Sequence, residues 1–294
     1  MDTDRERPPV GFIGLGDQGL PMATAIAEAG FPLHAWARRP ASLDGLRGVP
    51  HVRHDGVRDL AASCEIVGLC VSTDEDVLQL VTGGLLEALH SGSVVVNHGT
   101  GLPSTAVRLA EICAPAGVEV LDAPVSGGRP AAEERRLTTL VGGPRTAVER
   151  CRPVFASFSR HVVHLGGAGA GQTAKLFNNA LLAMNQANIA EIVDLAIGLG
   201  MDPARLVGAL KLGSASSAAL TLLNTMVTLD NVEHLSRVEA LDMELFDTAM
   251  READADPGAV TERGMAGARG LSRLLHSLNS GEPAAAAGDG KERS

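Results

Sequence analysis

The strongest constraint on the fold lies near the start of the chain, where the apolar run Val10 to Ile13 passes directly into Gly14-Leu15-Gly16-Asp17-Gln18-Gly19. A stretch of small residues from Leu20 to Ala29 follows and stops at Gly30. Strand, glycine turn and helix in this order form a dinucleotide-binding fingerprint. The first glycine permits the tight turn, the second lets a pyrophosphate approach the backbone, and the third lets helix and strand pack closely. The helix N-terminus then offers its unpaired amides to the phosphates. A glycine turn that binds nothing is the alternative. The joint presence of strand, glycines, helix and second strand weighs against it, so Gly14, Leu15, Gly16, Asp17, Gln18 and Gly19 are assigned to a cofactor site.

The rest of the chain supplies the setting that this turn needs. Its 294 residues, 45% of them hydrophobic, suffice for two domains with sizeable cores. Up to about residue 165, apolar runs alternate with helix-like stretches, the pattern of parallel strands joined by crossover helices. Strands are expected at Val10 to Ile13, Leu33 to Trp36, Ile66 to Val71, Val94 to Asn97, Val118 to Ala123, Leu137 to Val141 and Val162 to Leu165. Most are rich in valine, isoleucine and leucine, which fits strands covered on both faces. Val71 and Ser72, where the third of these runs ends, join the cofactor set.

After the glycine-rich stretch 166–171 the composition changes. No proline occurs from Gln172 to Leu199 and apolar residues recur at helical spacing, so one long helix is expected over 170–199. Gly200 ends it, Asp202-Pro203 opens another, and the remainder to about residue 278 reads as helices without strand signals. The fold class is therefore α/β: an N-terminal doubly wound Rossmann sheet over 8–166, followed by an all-α domain over 167–280. Residues 281–294 have little to bury and are expected to be a mobile tail.

Composition narrows the partners. The formal net charge of -10 repels phosphate backbones, and no lysine or arginine run exceeds two, so nucleic acid is excluded as a partner. No uninterrupted apolar run approaches the roughly 18 residues of a membrane span, and the N-terminus lacks a secretory pattern, so a cytoplasmic protein is expected. Cys64, Cys70, Cys113 and Cys151 stand apart with no metal-ligand spacing, which reads as reduced, mostly buried thiols and no metal site. The chain contains no tyrosine. Dehydrogenases that use a tyrosine proton donor, and those that use zinc held by clustered cysteine and histidine, are thus excluded on inventory alone.

An NAD site usually carries an acid at the end of the second strand, for the ribose hydroxyls. Here the residues are Trp36-Ala37-Arg38-Arg39-Pro40, with no acid before Asp44. Arg38 and Arg39 can pair with a 2′-phosphate, so NADP is the preferred cofactor, with NAD as the other candidate; two solvated loop arginines are the alternative. In Asp122-Ala123-Pro124-Val125-Ser126-Gly127-Gly128, the serine hydroxyl and open amides suit a carboxylate. A plain tight turn is the alternative there. In the stretch Gly169 to Asn179, Lys175, Asn178 and Asn179 project from one face of the long helix. A lysine in the first turns opposes the helix dipole, and burial with that dipole would lower its pKa, as proton exchange near neutral pH requires. A solvent-facing lysine is the alternative.

Taken together, Gly11-Phe12-Ile13-Gly14-Leu15-Gly16, the Asp122 to Gly128 segment and Gly169-Ala170-Gly171-Gln172-Thr173-Ala174-Lys175 with Asn178-Asn179 resemble the β-hydroxyacid dehydrogenase family over roughly residues 8 to 250. Three motifs in order carry the resemblance. It implies that 170–199 is an interdomain helix, and that the all-α domain mediates a homodimer or homotetramer. It further implies that Ser126, Gly127 and Gly128 grip the carboxylate of a small substrate, that Lys175 is the general acid/base, and that Asn179 orients the reacting oxygen with help from Asn178. Thr100 matches a family threonine near nicotinamide and substrate. The implied activity is hydride transfer between a nicotinamide cofactor and a small hydroxy acid or semialdehyde.

The chain departs from the family pattern in four places. Gln18 replaces a common methionine, Asn97-His98-Gly99-Thr100 replaces Asp-x-Ser-Thr, Leu241-Asp242 replaces Lys-Asp, and Arg129 to Arg136 lacks the usual glycines. His98 reads either as a substrate contact or as a bystander. Two other readings share the architecture: an imine reductase, against which Lys175 argues, and a non-catalytic dinucleotide-binding oligomer.

Overall fold

The computed structural model describes residues 7–280, so the expected tail over 281–294 lies outside the described residues. By internal contacts the chain forms two compact units: Met1–Asn178 with Leu245–Asp256, and Asn179–Glu244 with Pro257–Ser294.

The first unit is built on one sheet. Its strands are β1 (Val10–Ile13), β2 (Leu33–Trp36), β3 (Val52–Arg53), β4 (Ile66–Leu69), β5 (Val94–Asn97), β6 (Glu119–Asp122), β7 (Val125–Ser126), β8 (Leu137–Gly142) and β9 (Ser159–Gly166). The order is β3-β2-β1-β4-β5-β6-β8-β7, with β9 paired to β8. The helices of this part of the chain are α1 (Gly19–Glu28), α2 (Val57–Ala62), α3 (Asp74–Leu80), α4 (Leu86–Ala88), α5 (Pro103–Cys113), α6 (Gly128–Glu133) and α7 (Arg145–Phe155). Strands β1 to β6 are parallel, and alternate residues face opposite cores. Phe12, Val94, Val96 and Leu121 pack into one, while Ile13, Val67, Leu69, Val95 and Val120 pack into the other. Burial on both faces explains why these runs show no polar alternation.

The expected pattern of parallel strands joined by crossover helices holds from β1 to β6, while β8 runs antiparallel to both β6 and β7. The cause is chain length. Only residues 127–136 separate β7 from β8, fewer than the dozen or so that a parallel crossover needs. Strands β3 and β7 escaped the sequence reading because two residues cannot display a period. The four cysteines are free, and burial pushes Cys64, Cys70 and Cys151 up to about 12 and Cys113 up to about 11.

The second unit is helical, apart from one bridge between Leu223 and Val227. Its elements come from α8 (Ala170–Gly198), α9 (Pro203–Leu212), α10 (Ala218–Leu222), α11 (Val232–Glu252) and α12 (Gly258–Asn279). Asp202 caps α9 by accepting the Arg205 amide at 2.9 Å, as an aspartate before proline at N1 suggests. Helix α8 has the length and mean apolar character of a membrane span. Its polar residues Glu191 and Asn188 take Arg263 of α12, and Asp194 takes Arg273 at 2.8 Å, all as exposed pairs.

Close approach of α8 and α12 depends on Gly267, where an added Cβ would stand 1.8 Å from the Ala183 carbonyl oxygen. Gly267→Ala should therefore cost about 1–3 kcal/mol by overpacking. Gly270→Ala, which meets nothing within 4 Å, should be neutral or gain up to about 1 kcal/mol from helix propensity. Thermal unfolding of the two variants checks this, and equal melting temperatures would contradict the packing assignment.

Candidate active site

The glycine turn has the shape of a phosphate cradle. Gly14 has φ +98°, and a Cβ there would lie 2.2 Å from the Cys70 carbonyl oxygen, so only glycine allows β1 to turn against the end of β4. At Gly19 a Cβ would lie 1.9 Å from the Gly14 carbonyl oxygen, which is the tight packing of helix on turn. Gly16 is different: a Cβ there meets nothing within 4 Å, so the turn is open to a ligand at that point. Gln18, the N-cap of α1, makes no side-chain capping bond; the Leu20 amide is taken by the Gly16 carbonyl at 3.0 Å and Pro21 has none, so it is the amide of Gly19 that the helix start can turn to an anion.

This turn sits where β1 neighbours both β2 and β4, the switch point at which doubly wound sheets bind ligands. A cavity of about 420 Å³ opens there, lined by Gly14, Leu15, Gly16, Arg38, Arg39, Ser42, Val71, Ser72 and Asp76 among others. The predicted cofactor residues on three separate loops thus come together, and the cradle fits a dinucleotide. Asp17, Gln18, Gly19 and Thr100 are not part of that lining. Asp17 and Gln18 lie in the turn before α1, Gly19 begins it, and Thr100 lies on the loop after β5. Arg38 meets Asp76 at 2.9 Å, and hydrogen bonds from Thr73 and then Arg38 hold the Asp76 carboxyl below the usual carboxylate range.

A second group of residues ties the loop after β5 to the start of α8. Asp122, at the end of β6 and 1% exposed, accepts the Gly169 and Gln172 amides at 2.8 Å each, one on each carboxylate oxygen. Burial pushes its pKa above the ordinary carboxylate value, while these amides pull it down. Gly171 lets the helix start press on the sheet, since a Cβ there would lie 2.5 Å from the Asp122 carbonyl oxygen. Gln172 donates to the Gly99 carbonyl at 2.7 Å and accepts the Gly101 amide at 3.0 Å, so it brackets Thr100. Lys175 follows three residues later, half-buried, on the same helical face as Gln172. Asn179, one further turn along, donates to Asp242 Oδ2 at 2.8 Å, and Asn178 is exposed.

Neither Asp122 nor Gln172 was assigned a role by sequence reading, although both lie inside the motifs. The available signal was an acid closing an apolar strand, where no surface residue is expected. Ser126 is half-buried at the end of β7, and Gly127, with φ +130°, leads into α6. Arg129 on α6 reaches Asp17 of the glycine turn at 3.5 Å, which joins this segment to the cofactor turn. His98 is corrected from loop residue to core residue. It is 4% exposed, its Nδ1 bonds the Ala123 carbonyl at 2.9 Å, and Phe12, Phe155 and Phe158 surround its ring. Burial lowers its pKa to about 4.

An open sheet with a glycine cradle at its switch point and a long helix offering a lysine defines a dinucleotide-binding oxidoreductase. Comparison with known proteins agrees. The model for the NAD-binding domain of 6-phosphogluconate dehydrogenase matches residues 9–166, and that for the NAD-binding domain of NADP-dependent 3-hydroxyisobutyrate dehydrogenase matches residues 169–268. A 3-hydroxyisobutyrate dehydrogenase of Pseudomonas aeruginosa is 35% identical over 217 residues, 73% of each chain. A 2-hydroxy-3-oxopropionate reductase of Escherichia coli is 34% identical over 213 residues, 72% of this chain and 73% of that one. The solved 3-hydroxyisobutyrate dehydrogenase of Mycobacterium tuberculosis with L-serine shares the fold, with a TM-score of 0.82 at 24% identity over 92% of this chain and 99% of that one. The chain belongs to the β-hydroxyacid dehydrogenase family and is an NAD(P)-dependent oxidoreductase. Relatives of this kind favour that reading over the imine reductase and the non-catalytic oligomer.

The Asp122 clamp yields a direct test. Asp122→Asn keeps the shape but turns an NH2 group toward one backbone N–H, so stability should fall by about 1–3 kcal/mol. Urea unfolding measures it, and an unchanged midpoint would show that the clamp is dispensable.

Proposed function

We propose that the protein interconverts a small β-hydroxy acid and the corresponding aldehyde or keto acid, with Lys175 exchanging the hydroxyl proton. The observation that carries this reading is the placement of Lys175 on the helical turn that Asp122 and Gln172 fix beside the Thr100 loop. A nicotinamide dinucleotide bound in the cleft supplies or accepts the hydride.

The chain's own residues do the rest. Lys175, as ammonium, protonates the oxygen on which negative charge develops, and as amine it removes the hydroxyl proton in the reverse direction. The amides and hydroxyl at Ser126, Gly127 and Gly128 hold the substrate carboxylate. Asn179 orients the reacting oxygen, its own amide being steadied by Asp242, and Asn178 assists. The relatives named above act on compact hydroxy acids or their oxo forms by their names, which supports a substrate of that size.

NADP is the preferred cofactor. Arg38 is bonded to Asp76, but an exposed pair of this kind is worth only about 0–1 kcal/mol, less than a charge-assisted bond to phosphate. The 2′-phosphate therefore wins the guanidinium. A homodimer or homotetramer through the helical unit is supported by apolar side chains left open there: Leu195 is 66%, Leu199 80% and Leu212 91% exposed.

Lys175→Ala should lower kcat about 10²- to 10⁴-fold and leave the cofactor dissociation constant unchanged; near-normal turnover with a panel of small semialdehydes would refute the mechanism. Replacing Arg38 and Arg39 together by alanine should raise KM for NADPH about 10- to 100-fold with little effect on NADH. A wild-type preference for NADH in the same assay would overturn the cofactor assignment.

A further inference from the structure

Within the second unit, two polar pairs join α8 to α11. Asn179 donates to Asp242 Oδ2 at 2.8 Å, and Gln186 Nε2 donates to Glu239 Oε1 at 3.0 Å. Asn179 and Gln186 are two helical turns apart on α8, and Glu239 and Asp242 are neighbours one turn apart on α11.

With an ionised acid the second pair is incomplete. Gln186 is 1% exposed, and its Oε1 and Glu239 Oε2 are both buried without a hydrogen-bond partner among the described residues. Each is an acceptor while Glu239 carries a charge, so neither can satisfy the other. A single proton on Oε2 resolves both at once. Oε2–H then donates to Gln186 Oε1 while Gln186 Nε2–H donates to Oε1, and acid and amide close a ring of two hydrogen bonds.

The surroundings favour the proton. On α11 the charge that acts on Glu239 is Asp242, of like sign, and from α8 it faces the neutral Gln186. Helix α12 meets α11 with Gly264 against Met243 and with the Ala268 carbonyl, which accepts Ser236 at 2.8 Å. Its Arg263 is turned to Asn188 and Glu191 of α8. Burial, opposed by the Gln186 bond and aided by Asp242, brings the Glu239 carboxyl up to about 7.

We propose that Glu239 is held as a neutral acid paired with Gln186, and that in this form it is a positioning residue for Asn179. The intact ring fixes α11 where Asp242 reaches the Asn179 amide. Ionisation opens the ring and sets a second negative charge one turn from Asp242, which loosens that hold. The positioning role rests on the reading of Asn179 given above; the protonation does not.

The sign of the pH effect follows from linkage. A carboxyl raised from 4.5 to about 7 keeps its proton in the folded chain where the unfolded chain has lost it. Its stabilisation is complete below the lower value and disappears as pH rises through the upper one. Glu239→Gln places an amide in the same ring, which then persists at every pH. In the full-length protein, the wild-type melting temperature should fall relative to Glu239→Gln between pH values of about 5 and 7.5. With a turned-over substrate, the ratio of wild-type kcat to that of Glu239→Gln should fall as pH rises through neutrality, a change that the titration of Lys175, common to both proteins, cannot produce, with KM for NADPH unaffected in both.

Parallel melting curves would overturn the neutral acid. Separated melting curves with a kcat ratio that does not change with pH would overturn the positioning role, and since unfolding needs no assumption about Asn179, the two failures are distinguishable. If Glu239→Gln does not fold, the carboxyl carbon-13 shift of Glu239 in the wild type decides. A midpoint near 7 supports the proposal, and one near the ordinary 4.5 overturns it.

Discussion

The Asp122 carboxylate is the interaction on which the arrangement of the first unit depends. It closes β6, lies buried, and takes the amides of Gly169 and Gln172 at the start of α8. An ionised group so deep in the protein is costly unless its lone pairs are matched. Here the matching donors are the unpaired amides that every helix start must place somewhere. Two liabilities cancel, and the start of α8 is anchored to the sheet. Everything on the first turns of that helix inherits the position, including Gln172 with its hold on the loop at Thr100, and Lys175.

The cofactor cleft works on a different principle. Its shape is set by the absence of side chains at Gly14 and Gly19, where a methyl group would collide with backbone, and by openness at Gly16. Such a cradle is rigid before any ligand arrives, so little ordering cost falls on binding. The charged side chains at its rim are looser. Arg38 is paired with Asp76 at the surface. Exposed pairs of this strength act as placeholders that a phosphate or carboxylate can displace.

The sequence made the architecture readable because the pattern at each level agreed. The strand, glycine turn and small-residue helix at 10–30 could fold only one way, and the proline-free stretch after Gly171 could hardly be anything but a long helix. What stayed hidden was tertiary in origin. The reversal at β8 depends on how few residues separate it from β7. The fate of His98 depended on three phenylalanines, of which Phe155 and Phe158 lie far along the chain, and they turned an apparent loop residue into core. Asp122 and Gln172 carry no local signature, since their partners are 47 to 73 residues away. A motif search sees such residues as spacers between glycines, lysine and asparagine.

The net charge of -10 sits oddly with a protein that must gather an anionic dinucleotide and, on our reading, an anionic acid. The resolution is that attraction is local. Beyond a Debye length of about 8 Å at physiological salt, the overall field is screened. What a bound anion feels is the α1 N-terminus, the open amides near Gly16 and the guanidinium groups at the rim. The same local logic governs α8 and α11, where a chain rich in acids places Glu239 beside Asp242 in a buried layer. Neither helix offers Glu239 a cation, so the neutral form of one carboxyl is the economical solution. Acidity overall and protonation at one site are then two results of the same rule: a buried charge is decided by its nearest partners.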